Sequence, residues 1–179
     1  SIKLTVETKS VSSASYAVTG QDYVGILVGN TYTAGITDCH TTGSVRGNEY
    51  VGGFAGGTYG TQVTNSYSTA TVSGVSEIGG FIGRLGDAGV SNCYATGIVS
   101  GTEEVGGFAG TNYGIGTISS NYATGAVSGS TTIGGFVGSN SGNITTSYAT
   151  GDVTASSYAS GGFAGNNSGT ISRCFSNSD

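Results

Sequence analysis

Residues 92–110 read NCYATGIVSGTEEVGGFAG, and residues 120–138 read SNYATGAVSGSTTIGGFVG. The second stretch repeats the first, with Tyr-Ala-Thr-Gly, Val-Ser-Gly and Gly-Gly-Phe at matching offsets. Followed outward, the Gly-Gly-Phe rings fall at Phe54, Phe81, Phe108, Phe136 and Phe163, in steps of 27, 27, 28 and 27 residues. One period before Phe54 stands Leu27, in a worn copy reading YVGILVG. Three further columns keep the same register. They are His40, Tyr67, Tyr94, Tyr122, Tyr148 and Phe175; Val45, Val72, Val99, Val127 and Val153; and Thr42, Thr69, Thr96, Thr124 and Thr150. Columns that share one period define a repeat protein.

Each unit contains three extended pieces, VGGFAG, TISxxYAT and GxVSG, rich in β-branched residues and without helical periodicity. Corners such as Asn140-Ser141-Gly142 and Asn167-Ser168-Gly169 supply residues that tolerate positive φ. The pattern predicts an all-β fold, a β-solenoid resembling a parallel β-helix. It would have about six coils of about 27 residues, with about three short strands per coil and neighbouring strands roughly 4.8 Å apart. Such a prism stands on the order of 30 Å tall. The Val column and a second column, Ile118, Ile144 and Ile171, are predicted to point inward as stacked ladders. Each fully buried side chain of this size contributes roughly 1.5–3 kcal/mol. The direction of Phe is open, because Val105 and Phe108 have opposite parity along a straight strand.

Composition limits the partners. Of the 179 residues, 36% are apolar, 35 are Gly, and Pro, Met and Trp are absent. Disorder from Gly-rich composition normally comes with high charge and few aromatics. Here only 8% of residues are charged, while 11 Tyr and 6 Phe are spread along the chain. The net charge is −5, and Lys3, Lys9, Arg46, Arg84 and Arg173 stand singly. A polyanion needs clustered cations, so no nucleic-acid partner is expected. No apolar run approaches the roughly 20 residues of a membrane span, so membrane insertion is not expected. Abundant Ser, Thr, Asn and Gly with few ionisable groups fit an extracellular or cell-surface location.

The pattern GGF-[AV]-G-x-N-x-G-x-[IV]-x-x-[SC]-Y-A-T-G-x-V-S-G resembles the GLUG repeat of bacterial and archaeal surface proteins, over about residues 20–176. The resemblance implies an exported adhesin-like or cell-envelope molecule. The same repeat occurs as a non-catalytic region of some immunoglobulin-cleaving metallopeptidases. No zinc-binding His-Glu-x-x-His occurs in this chain, so peptidase activity does not carry over. Residues 1–19 depart from the pattern. They are read as an N-terminal strand that serves as cap or assembly arm, ahead of repeats at 20–179.

Few residues point to chemistry. His40, the sole histidine, occupies the Tyr column beside Cys39; neighbours on a strand face opposite ways, so His40 reads as an aromatic replacement. Cys39, Cys93 and Cys174 share a column but stand two and three coils apart, roughly 10 and 14 Å. A disulfide needs Cα atoms within about 7 Å, so none is expected within the chain. They read as small buried fillers, with intermolecular crosslinking and metal binding as alternatives. Asp22, Glu49, Glu77, Glu103 and Glu104 gather before the Phe column. This reads as a solvated charged edge, with a Ca²⁺ site at Glu49, Glu77, Glu103 and Glu104 as the weaker alternative. Asn143 and Asn166 open N-glycosylation sequons near corners. Paired carboxylates and basic residues beside a metal site are lacking, so neither an enzyme nor a cofactor is expected.

At the ends, SIKLTVET alternates Ile2, Leu4 and Val6 against Lys3, Thr5 and Glu7, a strand signal. The last coil closes on SRCFSNSD, leaving the strand of Cys174 and Phe175 as an edge. Two readings stay open: the first strand of one molecule completes the last coil of another, or residues 1–19 fold back as their own cap. The function read from the sequence is a structural block that self-assembles head to tail into a filament, sheath or surface array. The alternative is an adhesin stalk or binding module presenting a solenoid face to glycan or protein.

Overall fold

Left-handed corners set the architecture. Asp38, Asn65, Asn92, Ser120, Thr146 and Arg173 adopt φ between 51° and 59°, one per coil. Tyr23, Tyr50, Glu77, Glu104, Thr132 and Ala159 form a second such column, with φ between 48° and 59°. A computed structural model describes residues 17–177, and over these the chain is strand and turn without helix.

Above β1 (Ala17–Thr19), the first coil runs through β2 (Asp22–Gly25), β3 (Val28–Tyr32), β4 (Gly35–Thr37), β5 (His40–Thr41) and β6 (Ser44–Arg46), which lies on β1. Every later coil lays its equivalents on these in parallel register. Tyr67 pairs with His40 below and Tyr94 above; Val72 lies between Val45 and Val99. The strands of β3, β4 and β5 each found a six-stranded sheet. Those of β1, β2 and β6 share one ten-stranded sheet, fused where Val127–Gly134 and Val153–Gly161 run through as single long strands. The solenoid is therefore as predicted, but each lower coil holds five short strands rather than three. The left-handed residues divide extended pieces that looked continuous in sequence. Residues 17–19, assigned to the N-terminal segment by sequence, form β1, with Val18 beneath Val45 in the Val column. Ile2, Leu4 and Val6 lie outside the described residues.

The coil encloses two cores. One holds the Val column of β6 facing Val24, Val51, Ile78, Val105 and Ile133 of the β2 column. The other holds Phe54, Phe81, Phe108 and Phe136 with Val63, Val90, Ile118 and Ile144. The Phe direction is thus settled: these four rings are fully buried and stack at centroid distances of 4.4, 5.1 and 4.8 Å. Val45, Val72, Val99 and Val127 are buried as expected, and Val153 and Ile171 of the last coil pack against the cores while partly buried. A further inward column ends in amides. Asn112 Nδ2 donates to Asn140 Oδ1 at 2.8 Å, and Asn140 Nδ2 to Asn167 Oδ1 at 2.7 Å.

Glycine makes the waist between the cores. A Cβ on Gly83 would sit 2.5 Å from Tyr50 C and 2.6 Å from Val51 N. Here two backbones touch, and only glycine admits the approach.

Candidate binding faces

The β5 sheet carries an aromatic ladder on its outer side. His40, Tyr67, Tyr94, Tyr122, Tyr148 and Phe175 stack at 4.7–5.1 Å with interplanar angles of 2–12°. Ala95, Ala123 and Ala149 between them and the Thr column are buried, while Thr69, Thr96, Thr124 and Thr150 face solvent. His40 is one rung of this stack, as the aromatic-replacement reading expects. Each inner ring has both faces covered by its neighbours, so solvent meets ring edges. A sugar that stacks on a ring face finds no platform between the ends of this ladder.

A second cluster was not foreseen. Arg84 replaces Gly57 in the outward column of the β3 sheet, one coil above it and one below Thr111. Its guanidinium forms a two-pronged ion pair with the buried Glu77, and Thr111 Oγ1 donates to Glu77 Oε2 at 2.5 Å. The same guanidinium lies 4.2 Å from the centroid of Tyr50 and 5.5 Å from that of Tyr113. Tyr23 packs on Tyr50 at 4.5 Å, and its hydroxyl meets that of Tyr59 at 3.3 Å. That hydrogen bond, then burial, pushes the Tyr23 phenol up to about 12. The only sequence signal was a lone Arg in a column whose other members are small or neutral.

This corrects the acidic-edge reading. The acids occupy two adjacent columns: Asp22, Glu49 and Glu103 stand in one column with Ser76, whereas Glu77 and Glu104 take the left-handed positions beside them. Glu77 is turned to Arg84 and is no part of a solvated edge. Among the described residues no group of three or more His, Cys, Asp and Glu is placed to hold a metal ion. Glu104 is half-buried, and burial, followed by the charge of Glu77, raises its pKa above 4.5. A carboxyl whose folded pKa is raised costs stability when ionised, and that cost vanishes below the unfolded pKa. Glu104→Gln is therefore expected to raise the thermal midpoint at about pH 7 and leave it unchanged near pH 4, followed by circular dichroism.

The cysteine column repeats one local job. Ser66 Oγ donates to Thr64 O at 2.8 Å and accepts from Cys39 N at 3.1 Å. Ser147 Oγ donates to Thr145 O at 2.9 Å and accepts from Asn121 N at 3.2 Å; Asn121 Oδ1 accepts from Cys93 N at 2.8 Å. The thiols of Cys39, Cys93 and Cys174 each donate to the carbonyl two residues back, at 3.2 Å. Cysteine here does what serine does, tying a corner of the coil, and no disulfide joins the three. Cys39 and Cys93 are buried, matching the filler reading; Cys174, in the last coil, is only partly so. Burial pushes the Cys93 thiol up to about 12, so it holds almost no thiolate at neutral pH. Under native conditions Cys174 is expected to react with a maleimide reagent at least tenfold faster than Cys93, the difference vanishing in denaturant.

The GLUG motif matches residues 47–73, 74–100 and 129–154, each spanning one coil. The chain is a GLUG-repeat β-solenoid. No curated protein and no solved structure matches it. Between the second and third GLUG matches, residues 101–128 keep the Phe and Tyr columns in register at Phe108 and Tyr122.

The GLUG prism departs from regularity at 113–116. Tyr113 is 49% and Ile115 87% exposed, and Ile115 N donates to Asp87 Oδ1 at 3.0 Å. Beside this turn Gly89 interrupts an outward column between Gln62 and Thr117, leaving a shallow depression with Ser91 and Ser119 on its wall. The sequon residues Asn143 and Asn166 are exposed and near corners, as expected, Asn143 opening the strand Asn143–Thr145 after the bend at Gly142 and Asn166 near the end of Ala164–Asn167.

Proposed function

We propose that this GLUG-repeat solenoid is a non-catalytic structural protein of the cell exterior that stacks coil on coil, copy on copy, into a filament, sheath or surface array. The observation that supports this reading is the fit of each coil to the next: Phe163, Ile171 and Phe175 lie on Phe136, Ile144 and Tyr148 in parallel register, as those lie on the coil below them. The first coil offers the same sheets in the same register, with Leu27, Val28 and Ile36 partly buried. An unpaired parallel edge templates a further strand, and a head-to-tail contact of this kind propagates. Sedimentation and electron microscopy over rising concentration test it: filaments that lengthen with concentration support it, and a monomer at every concentration overturns it.

The turn at 113–116 favours a second reading, an adhesin module. Gln62, Ser91, Thr117 and Ser119 line the depression with an amide and hydroxyls, and the exposed Tyr113 opens the turn that leads into its wall at Gly116 and Thr117, groups of the kind a neutral glycan requires. A glycan array on which the monomer binds and Tyr113→Ala does not would support this reading over the first.

A further inference from the structure

The aromatic ladder on the β5 sheet has a chemical property beyond packing. Tyr67, Tyr94, Tyr122 and Tyr148 are four consecutive phenols, with centroids 4.7, 4.7 and 5.0 Å apart and ring planes within 6° of parallel. Register is fixed by backbone pairing, Tyr94 to Tyr122 and Tyr122 to Tyr148, so each ring has its own equivalent as its neighbour on either side. The rings are half-buried, with their edges toward solvent. Competing targets of oxidation are few: the chain has no Met and no Trp, and Cys93 is sealed in the core.

We propose that this ladder is a site of oxidative crosslinking, at which a one-electron oxidant such as a peroxidase with hydrogen peroxide joins tyrosines of adjacent coils as dityrosine. Two phenols each give up one hydrogen atom, and the peroxide they reduce leaves as two waters. The two phenoxyl radicals pair, forming one carbon–carbon bond between ring positions ortho to the oxygens. The ring hydrogens at those positions then move to the oxygens, restoring both phenols. The product is a covalent staple along the solenoid axis, between paired strands otherwise held by hydrogen bonds and side-chain packing. A stapled pair of coils cannot peel apart, which is useful wherever an exposed coil edge meets solvent.

Tyr122→Phe provides the controlled variant, because Phe175 already occupies this column and keeps the stack. A Cys174→Ser background removes the partly exposed thiol, and Ser66 and Ser147 show that serine fits that column. After treatment with peroxidase and peroxide, the monomer fraction is digested and mapped by mass spectrometry. Expected are links of Tyr94 to Tyr122 and of Tyr122 to Tyr148, each with the loss of two hydrogens. In Tyr122→Phe both links vanish and the Tyr67–Tyr94 link remains. The proposal is overturned if no dityrosine forms, if it forms only between molecules, or if it is confined to tyrosines outside the ladder such as Tyr32, Tyr113 or Tyr158.

Discussion

Gly110→Ala is expected to abolish the folded state, although it adds a single methyl group. The new Cβ would stand 2.4 Å from Glu77 C, 2.6 Å from Ile78 N and 2.7 Å from Gly83 O, all of them backbone atoms. Side chains can swing aside from an added methyl, but paired backbone cannot move without breaking the ladder on either side. Overpacking in ordinary cores costs about 1–3 kcal/mol. Here the obstruction is rigid and lies at the waist, where both cores meet, so the loss should exceed that range. Soluble yield and far-ultraviolet circular dichroism measure it. Gly35→Ala is the companion: nothing lies within 4 Å of its Cβ, and it should leave the denaturation midpoint unchanged or slightly higher. Equal behaviour of the two variants would sink the account of the waist.

Phe108→Ala is the second large effect. The ring is fully buried and lies between Phe81 at 5.1 Å and Phe136 at 4.8 Å. Truncating a buried Phe to Ala costs roughly 3–5 kcal/mol through lost burial and the cavity left behind. A whole domain is stable by only about 5–15 kcal/mol, so the variant should survive at low denaturant and unfold early. Because each coil touches mainly its neighbours, the damage should be local in origin. Urea denaturation is expected to show a much lower midpoint. It should also lose the single sharp transition, as the coils below and above Phe108 uncouple. A midpoint within experimental scatter of the parent would mean that the Phe ladder contributes little.

What the sequence disclosed follows from what a column can disclose. Tyr94 above Tyr67 and Val99 above Val72 were legible because identical residues recur at a fixed period, and stacking needs no other information. The path within one coil was harder. Val105 and Phe108 have opposite parity only along a straight strand, and the chain bends at Gly107-Phe108 so that both point inward, into different cores. The extra corners were hidden because Asn92, Ser120 and Thr146 hold left-handed backbone without being glycine. The Arg84–Glu77 pair escaped notice for another reason. A periodic reading rewards sameness, and this contact joins Arg84, which stands alone in its column, to Glu77, in a column that changes from Tyr to Glu. The Cys column was placed correctly, but its task at the corner became visible only once Ser66, Asn121 and Ser147 were seen doing the same thing.

The ion pair has one more consequence, for heredity. Glu77 and Arg84 both fall inside the single period 74–100. Unequal recombination that removed this block would take acid and base together, and set Phe108 above Phe54 and Val127 above Val72. No orphaned charge would be left inside, although Thr111 would lose its acceptor, Ile115 its cap on Asp87, and the tyrosines that flank Arg84 a neighbour. Duplicating the block would be equally benign. Such a gene can therefore lengthen or shorten by whole turns while each intermediate still folds, so that reach becomes a trait open to natural variation.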